Sequence, residues 1–330
     1  MTTEPTGDAT NQASNGPSDP GRYPGGAPVF ILGMLQRTGT NHLWDLFGLH
    51  PDVELLQPVF EDHLVRWSPH LLAYAEDVTR CWSPEWEVPE SEATALTASI
   101  GRGVVDWLAD RSDRRVVTKM PSVESASHYF ELFADCPLVV IVRDGRSVSE
   151  SGVRSFGWSY ERAFRRWNTA ARIVLDLQER HRDRPGFAVV RYEDIIEKPG
   201  EVMRQLCLST GLDPERYPFD EIESLPVRGS STLRSEGGEQ AIHWTPVERS
   251  DSFNPKERWR DWSPHVHRRF TAVAGQSQRA LGYDLEPVDG KDTPAEQARD
   301  LRDHLDVRWR EVRVKLGRAR RAVRRVHGRV

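Results

Sequence analysis

Cysteine is scarce in this sequence, and its three copies, Cys81, Cys136 and Cys207, are odd in number, far apart and without CxxC spacing. That pattern excludes a disulfide framework and a zinc knuckle, and it suits a reducing cytoplasm. Long apolar runs are missing as well: no segment approaches the roughly 18 consecutive apolar residues that a membrane-spanning helix needs. The first residues, Met1-Thr2-Thr3-Glu4-Pro5, lack the charged-then-apolar order of a secretory signal, so export is not expected. Metal-ligand spacing is also missing. His265 and His267 stand two apart on an expected helix and point to different faces, and no metal is expected. Large apolar residues are almost absent from residues 1–26, which are rich in Gly, Pro, Ser, Thr and Asn and cannot bury enough surface to offset chain entropy. They read as a disordered leader. At the other end acid is what is missing: residues 308–330 hold ten Arg or Lys against Glu311 alone, which leaves −14 on the remainder of a chain whose formal charge is −5.

Between these ends, apolar runs of strand length alternate with amphipathic segments, the pattern of an α/β domain. The apolar stretch that opens at Pro28-Val29-Phe30-Ile31-Leu32, Arg115 to Lys119, Leu138 to Val142 and Phe187 to Tyr192 read as strands. Leu138-Val139-Val140-Ile141-Val142 has no polar phase, as a parallel strand buried on both faces requires. From Tyr160, Phe164, Trp167, Ala171 and Val174 recur at helical spacing with Arg162, Arg165, Arg166 and Arg172 elsewhere on the surface. Pro199 opens another helix that stops near Gly211, and Ser263-Pro264 caps one that runs to about Leu281 before Gly282. Trp44, Trp107 and Trp167 fall on helical faces and are expected in the core. No internal repeats occur, and no linker interrupts the order, so the expectation is a single domain over 27–290 with a mainly parallel central sheet flanked by helices, followed by a basic tail over 291–330.

The first strand runs into Gly33-Met34-Leu35-Gln36-Arg37-Thr38-Gly39-Thr40-Asn41, a small polar turn that opens a helix. Unpaired N–H groups and the helix dipole make such a turn an anion-binding device, and Arg37 adds a permanent cation. The turn departs from the nucleotide pattern GxxxxGK[ST], whose second glycine and lysine would stand at Thr38 and Gly39. A second motif, Arg143-Asp144-Gly145-Arg146-Ser147-Val148-Ser149-Glu150-Ser151, follows Leu138 to Val142 at the strand end where open α/β sheets bind ligands. Together the two resemble the sulfotransferases that use PAPS (3′-phosphoadenosine 5′-phosphosulfate), over roughly residues 28 to 282. The resemblance implies a P-loop-like phosphosulfate-binding turn at Gln36, Arg37, Thr38, Gly39, Thr40 and Asn41, and a 3′-phosphate grip from Arg143 and Ser151. Gly145 and Ser147 replace the usual Pro and Asp. Val227-Arg228-Gly229 lies where the family returns to the 3′-phosphate, which makes Arg228 a further candidate. Tyr192 and Trp259, each in a segment like one in the family, read as packing residues.

For catalysis the resemblance implies Arg37 and Lys119 as cations near the leaving phosphate. It implies a base after the first helix, where Gly48-Leu49-His50-Pro51 resembles the helix exit of Golgi-type members. Glu61 is the first candidate for that base. His63 is the alternative, because histidine serves in the cytosolic branch and its ordinary pKa suits the role. The expected reaction is sulfuryl transfer from PAPS to a carbohydrate, lipid or secondary-metabolite hydroxyl, with no metal and no nucleic-acid partner. Two rivals remain: a P-loop kinase using ATP and magnesium, and a non-catalytic nucleotide-binding or membrane-tethered scaffold. Leu305, Trp309, Val312, Leu316 and Val323 recur among closely set arginines, an amphipathic basic helix suited to an anionic membrane surface, to the acidic remainder of the chain or to a second subunit.

Overall fold

The computed structural model describes residues 22–23, 25–226 and 259–327. Strands β1 (Val29–Gly33), β2 (Val53–Leu55), β3 (Arg115–Met120), β4 (Leu138–Val142) and β5 (Phe187–Arg191) form a five-stranded, all-parallel sheet in the order β2-β3-β1-β4-β5. The helices are, in chain order, α1 (Thr40–Gly48), α2 (Leu64–Arg80), α3 (Glu90–Ala109), α4 (Tyr129–Leu132), α5 (Gly145–Phe156), α6 (Tyr160–His181), α7 (Tyr192–Glu197), α8 (Pro199–Thr210), α9 (Pro264–Ala280) and α10 (Pro294–His327).

β1 and β4 carry apolar residues in both phases because both faces of the sheet are covered. Phe30, Leu32, Leu138, Val140 and Val142 enter the core shared with α2 to α6 and α9. Val29, Ile31, Val139 and Ile141 enter the core shared with α1, α7 and α8. Alternation with a period of two sends successive side chains to opposite faces, so an all-apolar run is what two covered faces demand. The helix after β1 leaves to one face, whereas the connections after β3 and β4 leave to the other. The sheet therefore has its switch points beside the carboxyl end of β1, where diverging helices open a crevice.

Most sequence boundaries agree with the structure to within a residue or two. Ser159 Oγ accepts from the Arg162 N–H at 3.3 Å to start α6, and Ser263 Oγ accepts from the Val266 N–H at 3.4 Å to start α9. Gly211 and Gly282 end their helices at φ 75° and 79°. Tyr192 differs from expectation, since it opens α7 instead of closing β5. Trp44 and Trp167 are buried as expected, but Trp107 is not core: 44 % of it is exposed, with the Arg111 guanidinium 4.2 Å from its ring centroid. One-residue periodicity errors on a long helix move a side chain by about a quarter turn, enough to exchange core for surface.

The basic tail begins earlier than its arginines do. Thr293 and Glu296 form a capping box, with Thr293 N–H donating to Glu296 Oε2 at 2.7 Å and Glu296 N–H to Thr293 Oγ1 at 3.3 Å. The start of α10 and the residues before it are tied to α9, and through α9 to α6, by ion pairs: Arg269 holds Asp300 of α10 at 3.5 Å and Glu161 of α6 at 2.8 Å, and Arg268 holds Asp292 at 2.7 Å. His265 joins them, its Nδ1 3.1 Å from Asp292 and its Nε2 3.2 Å from Asp300. Leu301, Leu305, Trp309, Val312 and Leu316 form an exposed apolar stripe on the same helix. No helix among the described residues is long and apolar enough to cross a membrane. Of the leader, Arg22 and Tyr23 hold Asp106 of α3 at 2.7 Å and 2.8 Å; residues 1–21 and 24 lie outside the described residues.

Candidate active site

The turn after β1 is built by its own side chains. Thr38 Oγ1 donates to the Leu35 carbonyl and accepts from the Leu35 N–H, and Thr38 is almost fully buried. Thr38 thus shapes the turn from inside, and its side chain is not directed at a ligand. Gly39 has φ 106°, and a Cβ there would come within 2.3 Å of the Tyr192 ring. Both facts require glycine, and both leave the start of α1 without a side-chain cap. The first-turn N–H groups of α1 consequently face the crevice with the positive end of the helix dipole behind them. Thr40 is buried against Gly33, and Asn41 is half-exposed. Gln36 Oε1 accepts from Arg166 Nη2 at 2.9 Å, which ties the turn to α6.

The exit of β4 meets this turn directly. Arg143, 6 % exposed, donates from Nη1 to the Arg37 carbonyl at 2.8 Å and lies over the Tyr192 ring at 4.3 Å. Arg37 Nε in turn donates to Ser151 Oγ at 2.9 Å. Residues from two motifs far apart in sequence are thus brought together as the two motifs imply. Asp144 caps α5, accepting from the Arg146 N–H at 2.7 Å and pairing with its guanidinium at 2.6 Å. Gly145 stands where the family pattern has Pro, and a Cβ there would meet Trp167 at 2.7 Å; the departure is one of packing. Its N–H donates to Gln278 Oε1 at 3.0 Å, and the Asp144 N–H donates to Glu193 Oε1 at 3.1 Å. Those two acceptors use up N–H groups at the start of α5 and leave anion binding to the turn after β1 and to the arginines.

On the other side of β1, Lys119 is only 4 % exposed at the end of β3, with Nζ 5.1 Å from the Trp44 ring centroid. The segment carrying Glu61 and His63 is fastened at this same point, because the Asp62 N–H donates to the Lys119 carbonyl at 3.3 Å. Asp62 turns inward, accepting from Thr118 Oγ1 at 2.5 Å and from the Leu64 N–H at 2.6 Å. Glu61 and His63 are left on the open side, 3.8 Å apart and each about two-fifths exposed. Arg228 lies outside the described residues.

Residues 28–216 match the model of the sulfotransferase family, more than half of the 330-residue chain. The chain belongs to the sulfotransferase family. Among solved structures it is similar to the sulfotransferase domain of the olefin synthase of Synechococcus PCC 7002, with 21% identity, coverage of 78% of this chain and 96% of that one, and a TM-score of 0.51. The sulfotransferase domain of the curacin biosynthetic pathway has 20% identity, 79% and 99% coverage and a TM-score of 0.44. A sulfotransferase from Alicyclobacillus acidocaldarius has 14% identity, 78% and 97% coverage and a TM-score of 0.44. The first of these carries a likeness of fold. No curated protein matches the chain by sequence. As a sulfotransferase, the chain has the activity of sulfuryl transfer in general.

Sequence reasoning missed four supports of this site. Asp62, Glu193, Gln278 and Arg166 all act through hydrogen bonds to residues distant in sequence, and local periodicity carries no signal for them. Glu193 could have been noticed as part of Arg191-Tyr192-Glu193-Asp194 at a strand end, the same position that makes Arg143 and Lys119 conspicuous. Among the described residues one group, His265, Asp292 and Asp300, has spacing that could hold a metal ion. Arg268 and Arg269 already engage its two carboxylates, which makes the group an interhelical ion network.

Burial holds the Asp62 carboxyl above the usual carboxylate range, against the Thr118 and Leu64 bonds that favour its ionised form. With the folded value above the unfolded one, its contribution to stability is full below the ordinary carboxylate pKa and declines as pH rises through the folded value. Asp62→Asn removes that decline and keeps an acceptor for the Leu64 N–H. In urea unfolding from about pH 4 to about pH 7, the variant is expected to gain on the parent as pH rises; a difference that stays flat or shrinks contradicts the burial of this carboxyl.

Proposed function

We propose that this sulfotransferase moves a sulfuryl group from PAPS to an acceptor hydroxyl, releasing 3′-phosphoadenosine 5′-phosphate (PAP), by in-line displacement. The observation that carries the reading is the junction of Arg37, Arg143 and Ser151 beside the uncapped start of α1. Two guanidinium groups, a hydroxyl and a helix N-terminus form a donor set for phosphate, and the glycine that shapes it has no room for a side chain. Bound PAPS supplies the transferable sulfuryl group and a phosphate leaving group. Arg143 and Ser151 grip the 3′-phosphate. Arg37 reaches Ser151, so we assign it to that grip as well, in place of the sulfuryl end expected from the motif alone. Lys119 is then the cation at the sulfuryl end: a buried ammonium fixed beside the segment that carries Glu61, where it offsets charge growing on the leaving oxygen. Glu61 takes the acceptor proton, with His63 as the alternative base. A kinase is disfavoured because Gly39 and the Tyr192 ring occupy the place of the phosphate-binding lysine.

The tail extends the proposal to location. The exposed stripe Leu301, Leu305, Trp309, Val312 and Leu316 lies on a helix whose sequence is rich in arginine, which suits peripheral contact with an anionic membrane. Each cation near the headgroups contributes about 1 kcal/mol.

For the donor, calorimetry is expected to give much tighter binding of PAP than of AMP or ATP, with Arg143→Ala removing on the order of 1.5–3 kcal/mol of that preference. Equal affinities for PAP and AMP would sink the assignment. For the base, Glu61→Gln is expected to leave PAP affinity intact and to lower turnover about 100-fold or more; retention of turnover, with loss in His63→Ala, transfers the role to His63. For the tail, Leu305→Asp combined with Trp309→Asp should abolish pelleting with phosphatidylserine vesicles, both positions being exposed and away from the ion pairs that dock α10. Pelleting that is unchanged, or absent in the parent protein, excludes the membrane.

A further inference from the structure

Helix α6 treats its arginines in two ways. Arg165 is paired with Glu161 at 2.5 Å, and Arg146 and Arg269 nearby are likewise paired with carboxylates, those of Asp144 and Glu161. Arg166 is not. Its guanidinium is half-buried, donates to the neutral amide of Gln36 at 2.9 Å and stacks on the Trp158 ring at 4.3 Å. Arg162, one turn earlier on the same face, and Arg66 of α2 lie within electrostatic reach. Burial first, then these two like charges, pull the Arg166 pKa down, and Glu124 alone opposes them. Glu124 already stands 3.5 Å from Arg66. Three guanidinium groups thus stand near one carboxylate among the described residues, and for Arg166, the one of them that is enclosed, desolvation makes that excess of positive charge costly.

The location gives that excess a use. Gln36 belongs to the turn after β1, Arg66 to the first turn of α2 directly after Glu61 and His63, and α6 closes the third side. An acceptor hydroxyl has to arrive at this meeting point. On the segment that carries Glu61, His63 and Arg66, Phe60, Trp67 and Tyr74 are more than half exposed, and Trp67 stacks on His70 at 5.4 Å. Aromatic rings left in water on the segment that also carries Arg66 give it an apolar part and, with cations in excess of carboxylate, an anion-seeking part.

We propose that the acceptor is an amphiphilic anion: a hydroxyl compound whose carboxylate or phosphate is received by Arg66, Arg162 and Arg166 and whose apolar body lies on Phe60, Trp67 and Tyr74. The proposal rests on the donor reading above, since it takes the opposite side of the crevice from the PAPS grip. Arg166 also steadies Gln36 of the donor turn, so the decisive substitutions are at the two arginines that do not touch that turn.

The test is calorimetry on the full chain saturated with PAP, titrated separately with decanoate, decyl phosphate and decanol. One or both anions are expected to bind about tenfold or more tightly than decanol, as one charge-assisted contact provides. Preference for decanoate marks a carboxylate acceptor, and preference for decyl phosphate marks a phosphate. Arg162→Glu, at an exposed position, and separately Arg66→Ala should each remove most of the anion's advantage without changing PAP affinity. Equal binding of all three probes, or an anion preference that survives both substitutions, overturns the proposal. If PAP itself does not bind, the donor reading fails, while the same three titrations on the unliganded chain still decide the anion preference.

Discussion

The hydrogen bond from Arg143 Nη1 to the Arg37 carbonyl, 2.8 Å long, joins the turns that leave the two central strands, and the rest of the site depends on that junction. It fixes the backbone of the β1 turn at the one residue, Arg37, whose φ of 77° is outside the usual range for a side chain of that size. Tyr192 supports both partners: its ring lies under the Arg143 guanidinium and against Gly39. A substitution at any of the three would reach the other two. The strand register brings this about, since β1 and β4 are neighbours with Gly33 opposite Ile141, so their exits open side by side.

The parts of that junction, though not their contact, were legible in the sequence because they sit at strand ends. An all-apolar run announces a central strand, and whatever follows it must lie at the carboxyl edge of the sheet, so Arg37, Lys119 and Arg143 could be placed without contacts. The same logic yielded the single domain, the parallel sheet and the cap at Ser263. It could not yield β2, a three-residue edge strand held between His50 and Leu56 with too little length for a pattern, and it misassigned Trp107 because a helix face does not say what lies opposite. The capping box at Thr293 and Glu296 was readable but was overshadowed by the arginines downstream.

The segment from Glu61 to His63 shows where reading stops for a physical reason. Three consecutive ionisable residues offer no periodicity, and only the neighbouring strand decides which one turns inward. Here Thr118 and the Leu64 N–H capture Asp62, so its neighbours on either side are turned out together, 3.8 Å apart. That both Glu61 and His63 stand as candidates for the proposed base is therefore a product of the fold, because the contact that anchors the segment beside Lys119 presents both groups to the same space.

Charge pairing separates two sides of α6 in the same manner. Towards α9 and α10 the carboxylates of Glu161, Asp292 and Asp300 meet Arg165, Arg268, Arg269 and His265, and the enclosed charges there compensate one another. Towards the crevice Arg166 has an amide and an indole for partners. One helix thus carries a matched ion network on one side and cations in excess of carboxylate on the side that meets the turn after β1. Since the chain supplies acidic residues in excess overall, 50 against 45 basic, the shortage of carboxylates around Arg166, where Glu124 alone acts against two further arginines, is a property of that location and not of composition. A counter-charge delivered by a ligand completes the pattern that the rest of the helix follows.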